Sequence, residues 1–354
     1  MSNISTTTIP PIVANLIIAR AGIQRYGQPI LFAVGILGCF LNILIFLRPS
    51  MRQNSCAIYF HASSWANLLC LCWGVLASML AFFTGNNPAS YNVVYCRIRF
   101  YMINFPQYAS RAFVVLACLD RFLLCSTSVR QRQFCRANVA KRMVPLATFV
   151  CACLPIYILI TYGPVNKLRP CMVATDVGYV WEAVTAYMCT FIIPSVSMSI
   201  LSWLTVRRLR QSAQRVGRDK VSILALYSNH FLNKITVTGK DTQLIGMLIA
   251  QVILYFITNM PYISLLLYGT FTANVLESSK STYRVAVENF ANTLLASFFY
   301  YCFNGWPFFV YTLTAPSFRH ELFVIFTQRM PHQTPSNTRQ QNIDYIHRIA
   351  PMTN

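Results

Sequence analysis

The sequence predicts an all-α membrane protein: a seven-transmembrane helix bundle with a short amphipathic cytoplasmic helix after the seventh span. Three observations predict it. Residues of the AVILMFWYC set make up 55% of the 354 and charged residues only 11%, against about 25% charged in soluble domains. Mean hydropathy is +0.47, too apolar for a chain that must cover its surface in water. Seven stretches are long and apolar enough for a hydrocarbon core that needs about 20 residues per helix. Disorder, collagen and coiled coil are excluded, because they require charge, a glycine period or heptads.

In chain order the candidate spans are 28–48, 57–83, 97–125, 143–163, 180–206, 243–268 and 289–313. The fourth to seventh carry Pro155, Pro194, Pro261 and Pro307. Neighbouring helices and buried waters satisfy the carbonyls that such prolines free, so these are predicted kinks. Beyond the bundle, Phe318, Leu322, Ile325 and Phe326 recur on one helical face, which predicts a membrane-surface helix. The expected organisation is an extracellular N-terminus at 1–27, the bundle at 28–313, the surface helix at 314–329 and a cytoplasmic tail at 330–354.

Charge sets the orientation. The net charge is +20, and twenty of the 29 Lys and Arg fall on the connections after spans one, three and five, at Arg121 and in the tail. Eight fall on the opposite side, and Arg111 lies within a span. The positive-inside rule then predicts a plasma-membrane protein with its N-terminus outside and its C-terminus in the cytoplasm. The excess charge has anionic inner-leaflet lipid as its partner, so nucleic acid is not needed to explain it. Met1–Pro11 lacks the pattern of a cleaved leader. Asn3-Ile4-Ser5 is a glycosylation sequon on the predicted outer side. Most of the 13 cysteines sit in apolar runs and read as packing residues. The segment 221–232 within the long basic loop is too short to span and reads as an amphipathic or docking segment. No metal, cofactor or enzymatic constellation is expected.

Several motifs fall at set mutual spacings. Asp120-Arg121-Phe122 ends the third span, with Cys96 25 residues before Arg121 and Cys171 in the following outer connection. Asn42 lies in the first span, Pro194 and Pro261 in the fifth and sixth, and Tyr311 precedes Phe318-Arg319. In this the chain resembles the rhodopsin-like G-protein-coupled receptors over about residues 28–328. The resemblance implies a Cys96–Cys171 disulfide and a coupling switch of Asp120, Arg121, Asp241 and Tyr311. Asp241 is either a partner for Arg121 across the bundle or an acid that favours a helix N-terminus. The implied partners are an extracellular ligand and a heterotrimeric G protein.

The chain also departs from the family pattern. Asn67 stands where the family has an acid, and Pro307-Phe308 where it has Asn-Pro. Ser110 remains, so only a weak sodium effect is expected. Arg111 lies ten residues outward of Arg121, about 15 Å along a helix, near mid-membrane. It needs a partner there, with Tyr255, Asn67 and Asn259 as candidates. Two readings stand for this polar set with Asn42 and Ser110: a replacement for the family's activation switch, or a network that fixes helix packing.

The outer half offers Tyr101, Asn104, Gln107, Trp181, Glu182, Tyr262, Glu288 and Tyr301 as pocket candidates. Ile103 occupies the place of the amine-binding acid and Tyr301 that of the retinal lysine, so both ligand classes are disfavoured. Aromatic walls with a few charges suit an extended amphiphilic ligand. The expected function is a neuropeptide receptor. The alternatives are a chemosensory receptor for a small lipophilic ligand and, in another class, a transporter or channel.

Overall fold

The computed structural model describes residues 10–126, 128–163, 171–173, 176–222, 239–272 and 279–327. They form a bundle of seven long helices, followed by one short helix, with a further helical turn at Val129–Gln133 between the third and fourth. The helices α1 (Pro11–Leu47), α2 (Ser55–Thr84), α3 (Val93–Leu124) and α4 (Ala137–Thr161) come first. Then α5 runs through Asp176–Thr185, Ala186–Ile192 and Ile193–Ser222, and α6 spans Gly239–Phe271. α7 passes from Thr282–Ala291 through Asn292–Phe299 to Tyr300–Gly305 and Pro307–Thr314, and α8 covers Pro316–Thr327. A two-residue antiparallel hairpin, β1 (Tyr162–Gly163) with β2 (Met172–Val173), lies between α4 and α5. The predicted sites at Asn3 and 223–232, and the tail from 328, lie outside the described residues.

Five helices are long and apolar enough to cross a membrane on composition alone: α1, α2, α4, α5 and α6. α3 and α7 complete the seven and carry more polar side chains. Much of the apolar surface faces outward, as at Leu37, Phe40, Phe149, Ile160, Ile257 and Leu313. Around a bundle this is lipid-facing surface, since soluble monomers rarely expose so many large apolar side chains together.

The helix ends correct one expectation. α1 starts at Pro11, not near 28, because Pro11 fits the first helical turn and Ile12–Ala19 is an almost unbroken apolar run. A π-turn at Ile23–Gly27 stands just ahead of Pro29, which cannot donate to an ordinary α turn. The prolines act differently from one another. Pro155 ends the first part of α4, Pro194 follows a π-turn, and Pro307 restarts α7 after a break at Trp306. Pro261 stays inside a continuous helix, as do Pro106 and Pro145.

α3 is the hub and packs against α2, α4, α5 and α6. At the α8 end, Phe46, Phe60, Tyr311 and Phe318 join α1, α2, α7 and α8, with ring centroids 5.0–5.9 Å apart in the favourable range for aromatic pairs. α8 is anchored by Phe318, fully buried, and by Glu321, which pairs with Arg48 at 2.5 Å and accepts from Ser50 at 2.6 Å. Leu322 and Ile325 pack on the same core, but Phe326 points outward with Phe323. The predicted single stripe is thus split, because a helix lying beside a bundle meets protein on one side and membrane on another.

Small residues let helices approach closely where there is no hydrophobic drive between them. Gly35 on α1 faces Gly305 on α7, and a Cβ at Gly35 would sit 3.1 Å from the Gly305 Cα. Gly74 on α2 faces the ring of Tyr301, and a Cβ there would overlap it. Gly74→Ala is therefore expected to destabilise by about 1–3 kcal/mol. The measurement is the melting temperature of the purified protein, with Gly74→Ala/Tyr301→Leu recovering part of the loss. An unchanged value in Gly74→Ala would rule out this close packing.

Candidate functional site

At the α8 end, α3 brings Asp120 and Arg121 to the inner edge of the bundle. Both are nearly fully buried. Arg121 donates to Asp120 Oδ2 through Nε at 3.0 Å and through a terminal nitrogen at 2.5 Å. The same nitrogen reaches Asn54 Oδ1 at 3.1 Å and Ser55 Oγ at 3.4 Å. Asn54 caps α2 by accepting from Cys56 N, so one residue ties the start of α2 to the end of α3. The Asp241 side chain lies outside the described residues. Tyr311, fully buried on α7, donates to Gln251 Oε1 on α6. Beside Arg121 a narrow opening is lined by Cys118, Ser202, Thr205, Ile245, Leu248 and Ile249 from α3, α5 and α6.

At mid-height a polar network crosses five helices. Arg111 is fully buried. It donates to Gln107 O at 2.9 Å, to Gln107 Oε1, and to Asn259 Oδ1 at 2.9 Å. Gln107 and Asn304 exchange side-chain hydrogen bonds, and Asn304 also donates to Asn67 Oδ1 at 2.9 Å. Ser110 donates to the same oxygen at 2.6 Å and meets Ser63 at 3.1 Å. On the other side Asn259 donates to Tyr255 O, and the Tyr255 hydroxyl donates to Thr190 O on α5.

Three rings surround the Arg111 guanidinium: Tyr300 at 5.1 Å, Phe303 at 5.3 Å and Tyr255 at 5.9 Å. Each contributes about 0.5–2 kcal/mol. A guanidinium at mid-membrane that cannot reach water costs about 10 kcal/mol or more in simulations. Rings and neutral acceptors hold the group without neutralising it. Among the described residues Arg111 makes no ion pair, and its Nε has no hydrogen-bond partner.

Of the partners expected for Arg111, Asn259 and Tyr255 are in place, while Asn67 is two links away through Asn304 and Gln107. Asn42 stands apart, buried with an unpartnered Oδ1. Gln107, assigned from sequence to the ligand pocket, belongs to this network instead. Its position four residues before Arg111 on one helix face was the available signal. Asn304, Thr190, Tyr300 and Phe303 were missed, and only their tertiary neighbours reveal them.

At the opposite end Cys96 and Cys171 form a disulfide, with a Cα–Cα distance of 5.8 Å. The bridge joins the top of α3 to the hairpin, and Arg97 donates to Tyr162 O and Ile160 O beside it. The pocket candidates divide. Tyr101 donates to Ala152 O on α4, and Asn104 turns back on Phe100 O. Tyr262 lies tilted against Tyr300 with centroids 4.3 Å apart, and Tyr301 is buried against α2. Trp181 is exposed.

The two acids differ. Glu288, on the turn of α7 ahead of its apolar stretch, pairs with Lys280 at 2.7 Å and Arg284 at 2.9 Å and accepts from Tyr268 at 2.8 Å. Burial raises its carboxyl, but the bonds from Lys280, Tyr268 and Arg284 prevail and hold it at about 2. It is therefore ionised and already matched by two cations. Glu182, half-buried, accepts from the Tyr162 hydroxyl and has no ion pair among the described residues.

No curated protein matches the chain at a significant level. The model of the family described as "7 transmembrane receptor (rhodopsin family)" matches residues 36–311, from α1 to Tyr311 on α7. That span covers well over half of the sequence and includes the disulfide, the mid-bundle network and Asp120-Arg121, and the chain belongs to the rhodopsin family of seven-transmembrane receptors.

Proposed function

We propose that this receptor converts binding of an extracellular neuropeptide into activation of a heterotrimeric G protein. Its family consists of membrane receptors that transmit signals and do not catalyse reactions. In the proposed orientation the disulfide end is outside and α8 lies on the cytoplasmic leaflet, in keeping with the basic connections of that side. The observation that carries the coupling half is Arg121, buried on Asp120 beside the opening between α3, α5 and α6. Ligand binding would favour a state in which that opening widens and Arg121 leaves Asp120 to meet the G protein. This is population shift by differential affinity. Glu182 supports the peptide half: it is the carboxylate at that end with a phenol for a partner and none of the cations that match Glu288.

The test is agonist-driven guanine-nucleotide exchange in membranes of cells expressing the chain, challenged with peptide and small-amine libraries. A peptide response lost in Arg121→Ala and weakened at least tenfold in Glu182→Gln supports the reading. A response to uncharged lipophiles alone overturns the peptide half. Ion flux without a G protein overturns the coupling half. With Asn67, Ser110 and Asn304 in place of an acid, exchanging sodium for an impermeant cation is expected to leave agonist affinity within about twofold. A tenfold change would contradict the neutral character of this site.

A further inference from the structure

We propose that the Arg111 network is a binding site for one small monovalent anion, of which chloride is the natural example. The first observation is charge. Arg111 is fully buried at mid-height, and among the described residues it has no ion pair. Its partners among the described residues are neutral: an amide oxygen of Gln107, that residue's backbone oxygen, Asn259 Oδ1, the Tyr255 side chain and the rings of Tyr300 and Phe303. Arginine remains protonated in such surroundings, so the site carries a whole positive charge against partial negative ones.

The second observation is direction. The guanidinium uses both terminal nitrogens on Gln107 and Asn259, while its Nε is buried and unpartnered. A buried donor on a charged group is among the costlier groups to leave unsatisfied. An anion on that edge would satisfy the donor and the charge together. Asn304 holds Gln107, and the Tyr255 backbone oxygen and the Thr258 hydroxyl hold Asn259, so both acceptors of the arginine are positioned in advance.

Size and valence follow from the surroundings. The three ring centroids stand 5.1–5.9 Å from the guanidinium carbon, so the group is closely surrounded and any anion beside it must be small. With one cation in the network, a divalent anion would be left overcharged. The rings turn their faces to the guanidinium, so an anion belongs at its Nε edge, and a halide, more weakly hydrated than sulfate, gives up its water more readily there.

The experiment uses the purified full-length receptor in detergent, with choline as the cation and gluconate replaced stepwise by chloride at constant ionic strength. No agonist and no G protein are present, so the result is independent of coupling. The expected outcome is a saturable rise in melting temperature of about 3 °C, matched by bromide, not by sulfate, and abolished in Arg111→Gln. Equal melting temperatures in chloride and gluconate would overturn the proposal, as would a chloride effect that persists in Arg111→Gln. If that variant does not fold, crystals of the unaltered protein grown in bromide decide. An anomalous peak within hydrogen-bond distance of Arg111 Nε supports the site, and its absence at saturating bromide rejects it.

Discussion

Replacing Arg111 with leucine is expected to leave the receptor at the cell surface but cut agonist-driven nucleotide exchange at least tenfold. Arg111 joins α3 to both α6 and α7 at mid-height: it bonds Asn259 on α6 and lies against Tyr300 and Phe303 on α7. Any rearrangement of α6 relative to α3 must break or re-form the Asn259 contact. Leucine removes that contact and leaves Asn259 Oδ1 short of a donor, at about 1–3 kcal/mol, while Gln107 Oε1 keeps its bond from Asn304. It also removes a buried charge whose desolvation costs at least as much. The two effects oppose in stability, which is why the chain should still fold. They do not oppose in signalling, because the leucine variant has nothing with which to hold either arrangement. Radioligand-free surface labelling together with nucleotide exchange separates the two. Surface expression with unaltered exchange would reduce Arg111 to a packing residue. Asn259→Leu, which keeps the arginine on Gln107, should give a smaller loss than Arg111→Leu.

What could be read from the sequence follows the range of the interactions concerned. Helical apolar runs are local, so the bundle was visible, and Arg111 announced itself because an arginine inside an apolar run has few physical outcomes. Two of its candidate partners, Tyr255 and Asn259, lie beside it because they are on the inward face of a neighbouring helix at the same depth. Asn304 and Gln107 were not placed in the network, since an amide in a span can bond its own helix or another, and sequence does not distinguish them. Glu288 shows a missed local signal: Arg284 stands four residues before it on one helix face, a spacing that favours an ion pair, and the pairing removes Glu288 as an unmatched anchor for ligand. The early start of α1 was missed because Pro10-Pro11 reads as a loop until Pro11 is recognised as the first residue of a helix. Phe326 was misplaced because periodicity locates a residue on its own helix and says nothing of which side the bundle occupies.

Substituting Cys96 by alanine is expected to cost most of the surface expression, and adding Cys171→Ala should cost little more. The bridge closes a loop across 75 residues of sequence, which on the chain-entropy model corresponds to about 4 kcal/mol, roughly a thousandfold in the ratio of folded to unfolded chain. Its surroundings raise the stake. Cys96 and Cys171 share a buried cluster with Ala89, Ile158 and Tyr162, and the neighbouring Arg97 bonds the last carbonyls of α4 and the first strand of the hairpin. Opening the bridge therefore frees the hairpin that leads into α5, where Glu182 accepts from Tyr162. A receptor that survives reduction at low temperature should for this reason lose ligand affinity before it unfolds. The single and double variants distinguish a bridge from two packing residues. If each cysteine merely filled space, the two losses would add; if they form one bond, the second substitution has nothing left to break. A single variant with normal expression and an unchanged melting temperature would mean that the hairpin is held by Arg97 and the buried cluster, with the disulfide adding nothing to the fold.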